Sequence, residues 1–378
     1  MVGTLPASTE VFVAGGGPAG LATAIAARLR GLEVLVADGA LPPIDKPCGE
    51  GLMPDGVQAL RDLGITLPDG CAYPFRGIRF LSESLKAEAR FPSGTAYGIR
   101  RTDLHRVMVE HARTVGVRMV WQSAVSGLQP EGAVVGGKIV RAGWVVGADG
   151  TSSRVRQWAN LDVHRRKEMR FAFRRHYRVK PHTDFMELYW GRHCQIYVTP
   201  VGAEEVCVAV VSASSRLRLE EALMEFPELA GRLQGASHGS AERGAITVSR
   251  RLRHVFRDHT VLVGDASGGV DAITGEGLCL AFKQAAILAD CLASGDLARY
   301  QSEHRRLAWR PDLMSRLMLL MARSAPLRQR AMLAFQSEPR LFAGLLAMHV
   351  GVGSLVDSAS NGIALGWRIL SPRSQEAL

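Results

Sequence analysis

The 378-residue chain has six cysteines, and no two of them form a C-x-x-C pair. That absence removes the usual signatures of zinc and iron–sulfur sites. The irregular spacing of Cys48, Cys71, Cys194, Cys207, Cys279 and Cys291 offers no disulfide framework either, so reduced thiols are expected. Long hydrophobic runs are also missing, since no stretch reaches the roughly 18 uncharged apolar residues that a membrane span needs. The nearest, Leu341 to Val356, is interrupted by glycines and His349. The first ten residues contain no Lys or Arg and so lack the basic start of a secretory signal, which makes the cytoplasm the expected location. Only six of the 46 basic residues are lysines, and the net charge is +10. Such a balance permits an acidic partner. The arginines are not interleaved with aromatics and sit in no reader motif, so nucleic acid is not an expected partner.

What is present reads as an ordinary globular composition, 47% hydrophobic and 22% charged, in a chain long enough for two intertwined domains. Glu10 to Ala14 form a short apolar strand. Gly15-Gly16-Gly17-Pro18-Ala19-Gly20 follow, then a helix from Leu21 to Leu29 and a second strand from Glu33 to Ala37 that ends in Asp38. In a chain with 40 glycines the G-x-G-x-x-G spacing alone is weak, and the strand, helix and acid around it carry the argument. Gly15 would make the tight turn, Gly17 would admit a pyrophosphate to the backbone, Gly20 would let helix and strand pack closely, and Asp38 would accept bonds from a ribose.

Leu41 to Leu52, with three prolines and two glycines, cannot be a helix. It is an extended loop that carries Lys46, Cys48 and Glu50 over whatever the nucleotide fold binds. A helix is expected from Asp55 to Leu63, and a hairpin from the runs FRGIRFL and LKAEARF. Arg101-Thr102-Asp103 precede a helix with apolar spacing at Leu104, Val107, Met108 and Ala112, and Val115 to Trp121 reads as a parallel strand. Trp144 to Gly147 is another strand, ending at Ala148-Asp149-Gly150, with Thr151 to Arg154 a polar helix start suited to phosphate or ribose. From Leu161 to Arg253 the runs RFAFRRHYRV, DFMELYW, CQIYVT and EVCVAVV predict an antiparallel sheet, with helix between Leu217 and Leu233. His176 and Tyr197 on that sheet are candidates to line a pocket.

A strand at Thr260 to Val263 then stops at Gly264-Asp265, where open α/β sheets bind ligands. Gly275-Glu276-Gly277 opens a long helix with an apolar stripe at Leu278, Ala281, Phe282, Ala285, Ile287, Leu288 and Leu292. Its amino terminus would favour an anion, or a ring that becomes anionic on reduction. Beyond Leu297 the pattern is helical and rich in Leu, Met and Arg, with Pro311, Pro326 and Pro339 as breakers. An apolar stripe of Leu313, Leu317, Leu320 and Met321 suits packing on the rest of the chain, or peripheral membrane contact.

The glycine motif, Ala-Asp-Gly at 148–150 and Gly-Asp at 264–265 stand in the order of the para-hydroxybenzoate-hydroxylase-like FAD enzymes. Within them the chain resembles the geranylgeranyl reductase family. Pro47-Cys48-Gly49-Glu50-Gly51-Leu52 is similar to that family's cysteine-glycine loop, and GDASGGVDAITGEGL to its flavin loop. The resemblance covers roughly residues 10 to 295. It implies an α/β protein with a Rossmann-like FAD-binding fold, an interleaved antiparallel β-sheet substrate domain and a C-terminal helical segment. FAD-binding parts would span residues 1–72, 98–160 and 259–295, substrate parts 73–97 and 161–258, and the helical region 296–378. FAD would be held by Gly15, Gly17, Pro18, Ala19, Gly20, Asp38, Gly49, Val125 and Asp149, with Arg101 on the pyrophosphate, Asp265 on the ribityl or phosphate region, and Gly275, Glu276, Gly277 and Leu278 at the flavin. Cys48, Glu50 and Tyr197 are the candidate catalytic residues. Glu50 would be a proton donor or cap a backbone turn, and Cys48 a redox thiol or a packed one.

The implied activity is an FAD-dependent oxidoreductase acting on a hydrophobic small molecule, with NAD(P)H or another external donor. It would work either by hydride transfer to an alkene or by oxygen activation. A flavin-binding redox sensor without turnover is the reading from another class. The family's Tyr-x-Trp-x-Phe-Pro segment is here Gln195-Ile196-Tyr197-Val198-Thr199-Pro200, which argues against a long isoprenoid. The halogenase Trp-x-Trp-x-Ile-Pro is missing. Gly268 and Ala272 stand where the aromatic hydroxylases have His and Pro.

Overall fold

The computed structural model describes residues 5–352. Residues 353–378, the end of the expected helical region, lie outside the described residues.

Among the described residues, ten helices follow in chain order: α1 (Pro18–Leu29), α2 (Pro54–Asp62), α3 (Arg101–Thr114), α4 (Arg154–Trp158), α5 (Leu219–Leu223), α6 (Pro227–Leu233), α7 (Gly277–Ser294), α8 (Leu297–Arg323), α9 (Ala325–Ser337) and α10 (Pro339–His349). They surround two large sheets. In the first, Thr260–Leu262, Lys138–Gly147, Ser8–Ala14, Val34–Ala37 and Arg118–Val120 lie side by side and parallel. Val11 to Ala14 and Val34 to Ala37 are buried at every position, because this parallel sheet is enclosed in one core, with α1 packed on it and Ala133, Val135 and Val140 in the same cluster, so no alternation is needed. The Lys138–Gly147 strand shows both regimes. Its exposed first half closes an antiparallel meander with Val125–Gln129 and Gly132–Val135, and its last three residues are buried in the parallel core. That meander has no counterpart in the sequence reading.

The second sheet runs Gly268–Gly269, Arg243–Leu252, His164–Arg178, Glu205–Ser212, Cys194–Gly202, Met186–Trp190, Gly77–Ser82 and Leu85–Arg90. All neighbours are antiparallel except Met186–Trp190 with Gly77–Ser82. The four strand-like runs and the hairpin expected from sequence are all here. Tyr73–Phe75, expected in the hairpin segment, instead joins Gly51–Leu52 and Ala96–Gly98 in a separate three-stranded sheet. Arg76 amide bonding to Asp184 is what turns the chain from one sheet into the other.

The C-terminal helices do not stand apart. Met314, Met318, Met332, Phe335, Phe342 and Met348 share one apolar cluster with Phe80, Met186 and Trp190 of the second sheet. The Phe80 ring lies 4.6 Å from that of Phe342. Pro326 and Pro339 do start α9 and α10, where a missing N–H costs nothing. Pro311 does not break anything: α8 runs through it for 27 residues. A lone proline inside a helix costs about 3 kcal/mol, and the burial of Pro311 itself together with Met314, Met318 and Leu319 offsets that cost. The face that α8 buries contains Met321 of the expected stripe, whereas Leu320 is 52% exposed.

α7 is apolar and long enough to cross a membrane by length and composition. In this fold it packs on α1, α2 and α8. Its two charges are paired, Lys283 with Asp55 at 2.6 Å and Asp290 with Arg30 at 2.5 Å. Burial reaches beyond the expected stripe to Cys279, Leu280, Gln284, Ala289 and Cys291, because helices and strands surround α7.

Candidate functional site

A cavity of about 890 Å³ lies where the carboxyl ends of the parallel strands meet the second sheet. Gly15, Gly17, Pro18, Ala19, Asp38, Val125 and Asp149 line it from the first sheet and its turns. Cys48, Gly49, Glu50, Arg101, Asp265, Gly275, Gly277 and Leu278 line it from the Pro-rich loop, the start of α3 and the turns around α7. Ala172, Met186, Tyr197, Ala209, Val211 and Thr247 line it from the second sheet. The sequence-predicted residues thus converge from segments up to 263 positions apart, with Gly20, His176 and Glu276 the three that do not line it.

The glycine turn explains its own composition. Gly15 has φ +113°, and a Cβ there would lie 2.5 Å from the Ala148 carbonyl oxygen. A Cβ on Gly20 would meet the Gly15 carbonyl oxygen at 1.9 Å, so only glycine lets α1 sit this close. Gly17, the N-cap of α1, makes no side-chain cap, so the first N–H groups of the helix face the cavity without a side-chain partner. Asp38 accepts from the Gly16 amide at 2.6 Å and the Ala40 amide at 2.7 Å, so its carboxylate also fixes the two turns. Asp149 accepts from the amides of Arg154 and Val155, and Ser153 Oγ from that of Arg156. The polar start of α4 is therefore capped by its own chain, and the phosphate role expected of it is not needed to satisfy its N–H groups.

Arg101 opens α3 and reaches the cavity, buried, with Nη1 lacking any hydrogen-bond partner. Burial lowers its pKa, opposed by Cys48, Asp265 and Glu50; a guanidinium remains a cation here, and it wants an anion. Lys46 Nζ bonds Asp265 Oδ2 at 2.8 Å, and the Thr151 hydroxyl donates to the same oxygen at 3.2 Å. Burial works to raise the Asp265 pKa, but Lys46, Thr151 and Arg101 outweigh it and hold the carboxyl below its ordinary range.

Glu50 sits at the waist of the cavity with φ +59° and 2% exposure. One carboxylate oxygen accepts from the Arg101 amide at 2.9 Å, and the other pairs with His176 Nε2 at 2.6 Å. The adjacent Cys48 thiol has its pKa raised by burial, with Arg101 opposing, and its sulfur accepts from the Glu50 amide. A thiol so raised is a poor nucleophile, which favours the packed role. Tyr197 donates to the Ile273 carbonyl at 2.6 Å, and burial drives its pKa upward. Its hydroxyl is committed to the Ile273 carbonyl, and the residue lines the cavity. Glu276 turns its carboxylate away, toward His349 of α10 at 3.5 Å, leaving only backbone at the mouth of α7. That end of α7 has no side-chain cap, so its first N–H groups face the cavity.

Sequence reasoning missed three supports. His105 Nε2 donates to the Gly16 carbonyl at 2.8 Å while Nδ1 accepts from the Ile44 amide, so a neutral imidazole ties the glycine turn to the Pro-rich loop. Burial lowers its pKa in keeping with that tautomer. Arg170, buried, bonds Asp271 Oδ1 at 3.1 Å and pins the flavin loop to the sheet. Arg174 pairs with Asp45 of the Pro-rich loop. A buried arginine on a strand is the one sequence signal that could have flagged the last two.

Residues 8–310 match a family model described as an FAD binding domain. Among curated proteins, the chain is 28% identical over 321 residues to a menaquinone reductase of Mycobacterium tuberculosis, covering 77% of this chain and 78% of the relative. It is 27% identical over 335 residues to digeranylgeranylglycerophospholipid reductase 1 of Methanothermobacter thermautotrophicus, covering 79% and 81%. Among solved structures, a flavoprotein/dehydrogenase from Cytophaga hutchinsonii superposes with a TM-score of 0.79 at 17% identity, covering 91% and 93% of the two chains.

Proposed function

The chain belongs to the FAD-binding-domain family and is an FAD-dependent oxidoreductase, and from that premise we propose that it reduces an apolar, unsaturated small molecule, a quinone or a prenyl-type alkene. The observation that carries this reading is the mixed lining of a single cavity. The nucleotide-fold elements bring to it uncapped helix N–H groups and the orphaned Arg101 nitrogen, and the second sheet brings Ala172, Met186, Ala209 and Val211, with Arg174 and Thr247 among them. Between them stands Glu50, a buried carboxyl at the junction.

The residues present fit FAD. The amino end of α1 and Arg101 would hold the pyrophosphate, Asp38 the adenosine ribose and Asp265 the ribityl region, with the amino end of α7 facing the ring. When bound, FAD supplies hydride transfer. The chain does the rest. The α7 terminus stabilises negative charge that builds beside it. The apolar wall excludes water and orients the substrate. Glu50 holds the proton that substrate reduction consumes. The six free thiols suit a reducing, cytoplasmic compartment. The donor in this reading is a nicotinamide or another external reductant.

The test is to reduce the purified flavoprotein anaerobically and add a short-chain menaquinone or a geranylgeranyl lipid, following flavin reoxidation and the product mass. A gain of two hydrogens supports the proposal. Incorporation of labelled dioxygen only after air is admitted would replace it with an oxygenase, and flavin indifferent to every substrate would point to a redox sensor.

A further inference from the structure

Behind Glu50 lies a chain of hydrogen bonds that neither flavin binding nor a substrate wall requires. His176 Nε2 meets Glu50 Oε2 at 2.6 Å, and His176 Nδ1 meets the Ser240 hydroxyl at 2.8 Å. His176 is 2% exposed and does not line the cavity, while Ser240 is half-buried and reaches water. Arg174 Nη1 also points at Nδ1, from 3.1 Å. A guanidinium can only donate, so Nδ1 must be the acceptor and Nε2 must carry the hydrogen that goes to the Glu50 carboxylate. The tautomer is therefore set by the neighbours.

We propose that Glu50, His176 and Ser240 form a proton path from solvent to the reacting face of the cavity, with His176 and Ser240 as positioning residues and Glu50 as the terminal donor. The proposal rests on the reductase reading, in which each turnover consumes a proton beside Glu50. The step balances: Nε2 gives its proton to Glu50 Oε2 as Nδ1 takes one from the Ser240 hydroxyl, which regains it from a hydronium ion or buffer acid in the solvent. The imidazole ends in the Nδ1–H tautomer, in which Arg174 Nη1 loses its acceptor, and ring reorientation restores the starting state. The other groups facing His176 are the Arg174 guanidinium, paired with Asp45 and 3.9 Å from Glu50 Oε1, and the Cys207 thiol on the neighbouring strand, which burial keeps uncharged and whose sulfur lies within 4.8 Å of the Glu50 and His176 polar atoms. An ordinary buried salt bridge would use a cation at position 176. A neutral imidazole bonded on both nitrogens conducts protons instead.

The experiment uses His176→Gln, which keeps a donor toward Glu50 but cannot pass a proton through, and Ser240→Ala, which leaves the ring in place. First, nitrogen NMR of the histidine-labelled wild type must show the Nε2–H tautomer at His176; an Nδ1–H tautomer overturns the proposal. Second, the holoprotein is reduced with dithionite in weak buffer containing a pH-indicator dye, and the protons that dithionite oxidation itself releases, measured with free FAD, are subtracted. Both variants should bind FAD in full stoichiometry, yet take up protons at least tenfold more slowly than wild type, with a larger solvent deuterium effect. Added imidazole should restore the rate of His176→Ala. Unchanged proton uptake in both variants overturns the path while leaving the reductase reading intact. A wild type that takes up protons normally but reduces no substrate overturns that reading instead.

Discussion

Lys46 and Asp265 are 219 positions apart and meet at 2.8 Å, joining the Pro-rich loop to the flavin-loop turn across the cavity. Neither residue is deeply buried, with side chains 42% and 49% accessible, so the pair is an adjustable clasp rather than a core contact. Its consequence is that Asp265 is held ionised where a ligand's polyol or phosphate region would lie.

Replacing Asp265 with Ala should therefore leave folding intact and weaken FAD. A hydrogen bond to a charged group is worth about 1.5–3 kcal/mol, so a roughly tenfold to hundredfold rise in Kd is expected, read by quenching of flavin fluorescence. Wild-type affinity in Asp265→Ala would remove this residue from the cofactor contacts.

The glycine positions offer a sharper contrast. Gly20→Ala places a methyl 1.9 Å from a backbone oxygen and should give protein that is misfolded or free of flavin, whereas Gly231→Ala, exposed on α6 and away from the cavity, meets nothing within 4 Å and should stay folded and yellow. Flavin-to-protein absorbance ratios of the purified variants decide it. A fully loaded Gly20→Ala protein would contradict the packing described.

His304 of α8 lies 2.8 Å from the Ser267 hydroxyl in the flavin-loop turn, and burial, with a smaller contribution from Arg305, pushes its pKa down to about 4. Its value in the unfolded chain is about 6.5. A native pKa below the unfolded one means that the unfolded chain binds the proton more readily. The stability is then complete above about pH 6.5 and is lost as pH falls toward about 4. Melting temperatures across that range should fall in wild type, and His304→Gln should flatten this part of the curve. Parallel curves for the two proteins would show that His304 is not the titrating group.

Tyr197→Phe should cost stability more than rate. Its hydroxyl is bonded to the Ile273 carbonyl, and removing it leaves a buried acceptor unpaired, about 1–3 kcal/mol. Denaturant midpoints should drop while kcat changes by less than about threefold. A hundredfold loss of kcat at unchanged stability would return the hydroxyl to the chemistry.

How much of the site could be read in advance depended on locality. Gly15, Gly17 and Asp38 belong to a strand–turn–helix–strand unit that a spacing motif marks, although the oxygen that Gly15 must clear belongs to the distant Ala148, and the second-sheet runs announce themselves by alternation. Pro311 was misread because burial of the α8 face offsets a local penalty, and local rules do not contain burial. The meander at 125–135 and the partner sheet of Tyr73–Phe75 escaped because pairing partners, not propensity, decide where short strands go.

The sequence by itself determined the strand–turn–helix units and the glycine turn, since these follow from backbone sterics over a few residues, and its family resemblance implied that three distant motifs serve one ligand class. Only the tertiary structure decided which polar groups face one another: that Glu50 pairs with His176, that Tyr197 spends its hydroxyl on Ile273 and that Glu276 turns to His349. Those pairings join residues 76 to 126 positions apart, or bring together elements from opposite ends of α7 to α10. Hydrogen bonds are short-ranged and directional, so nothing short of the packed chain specifies them.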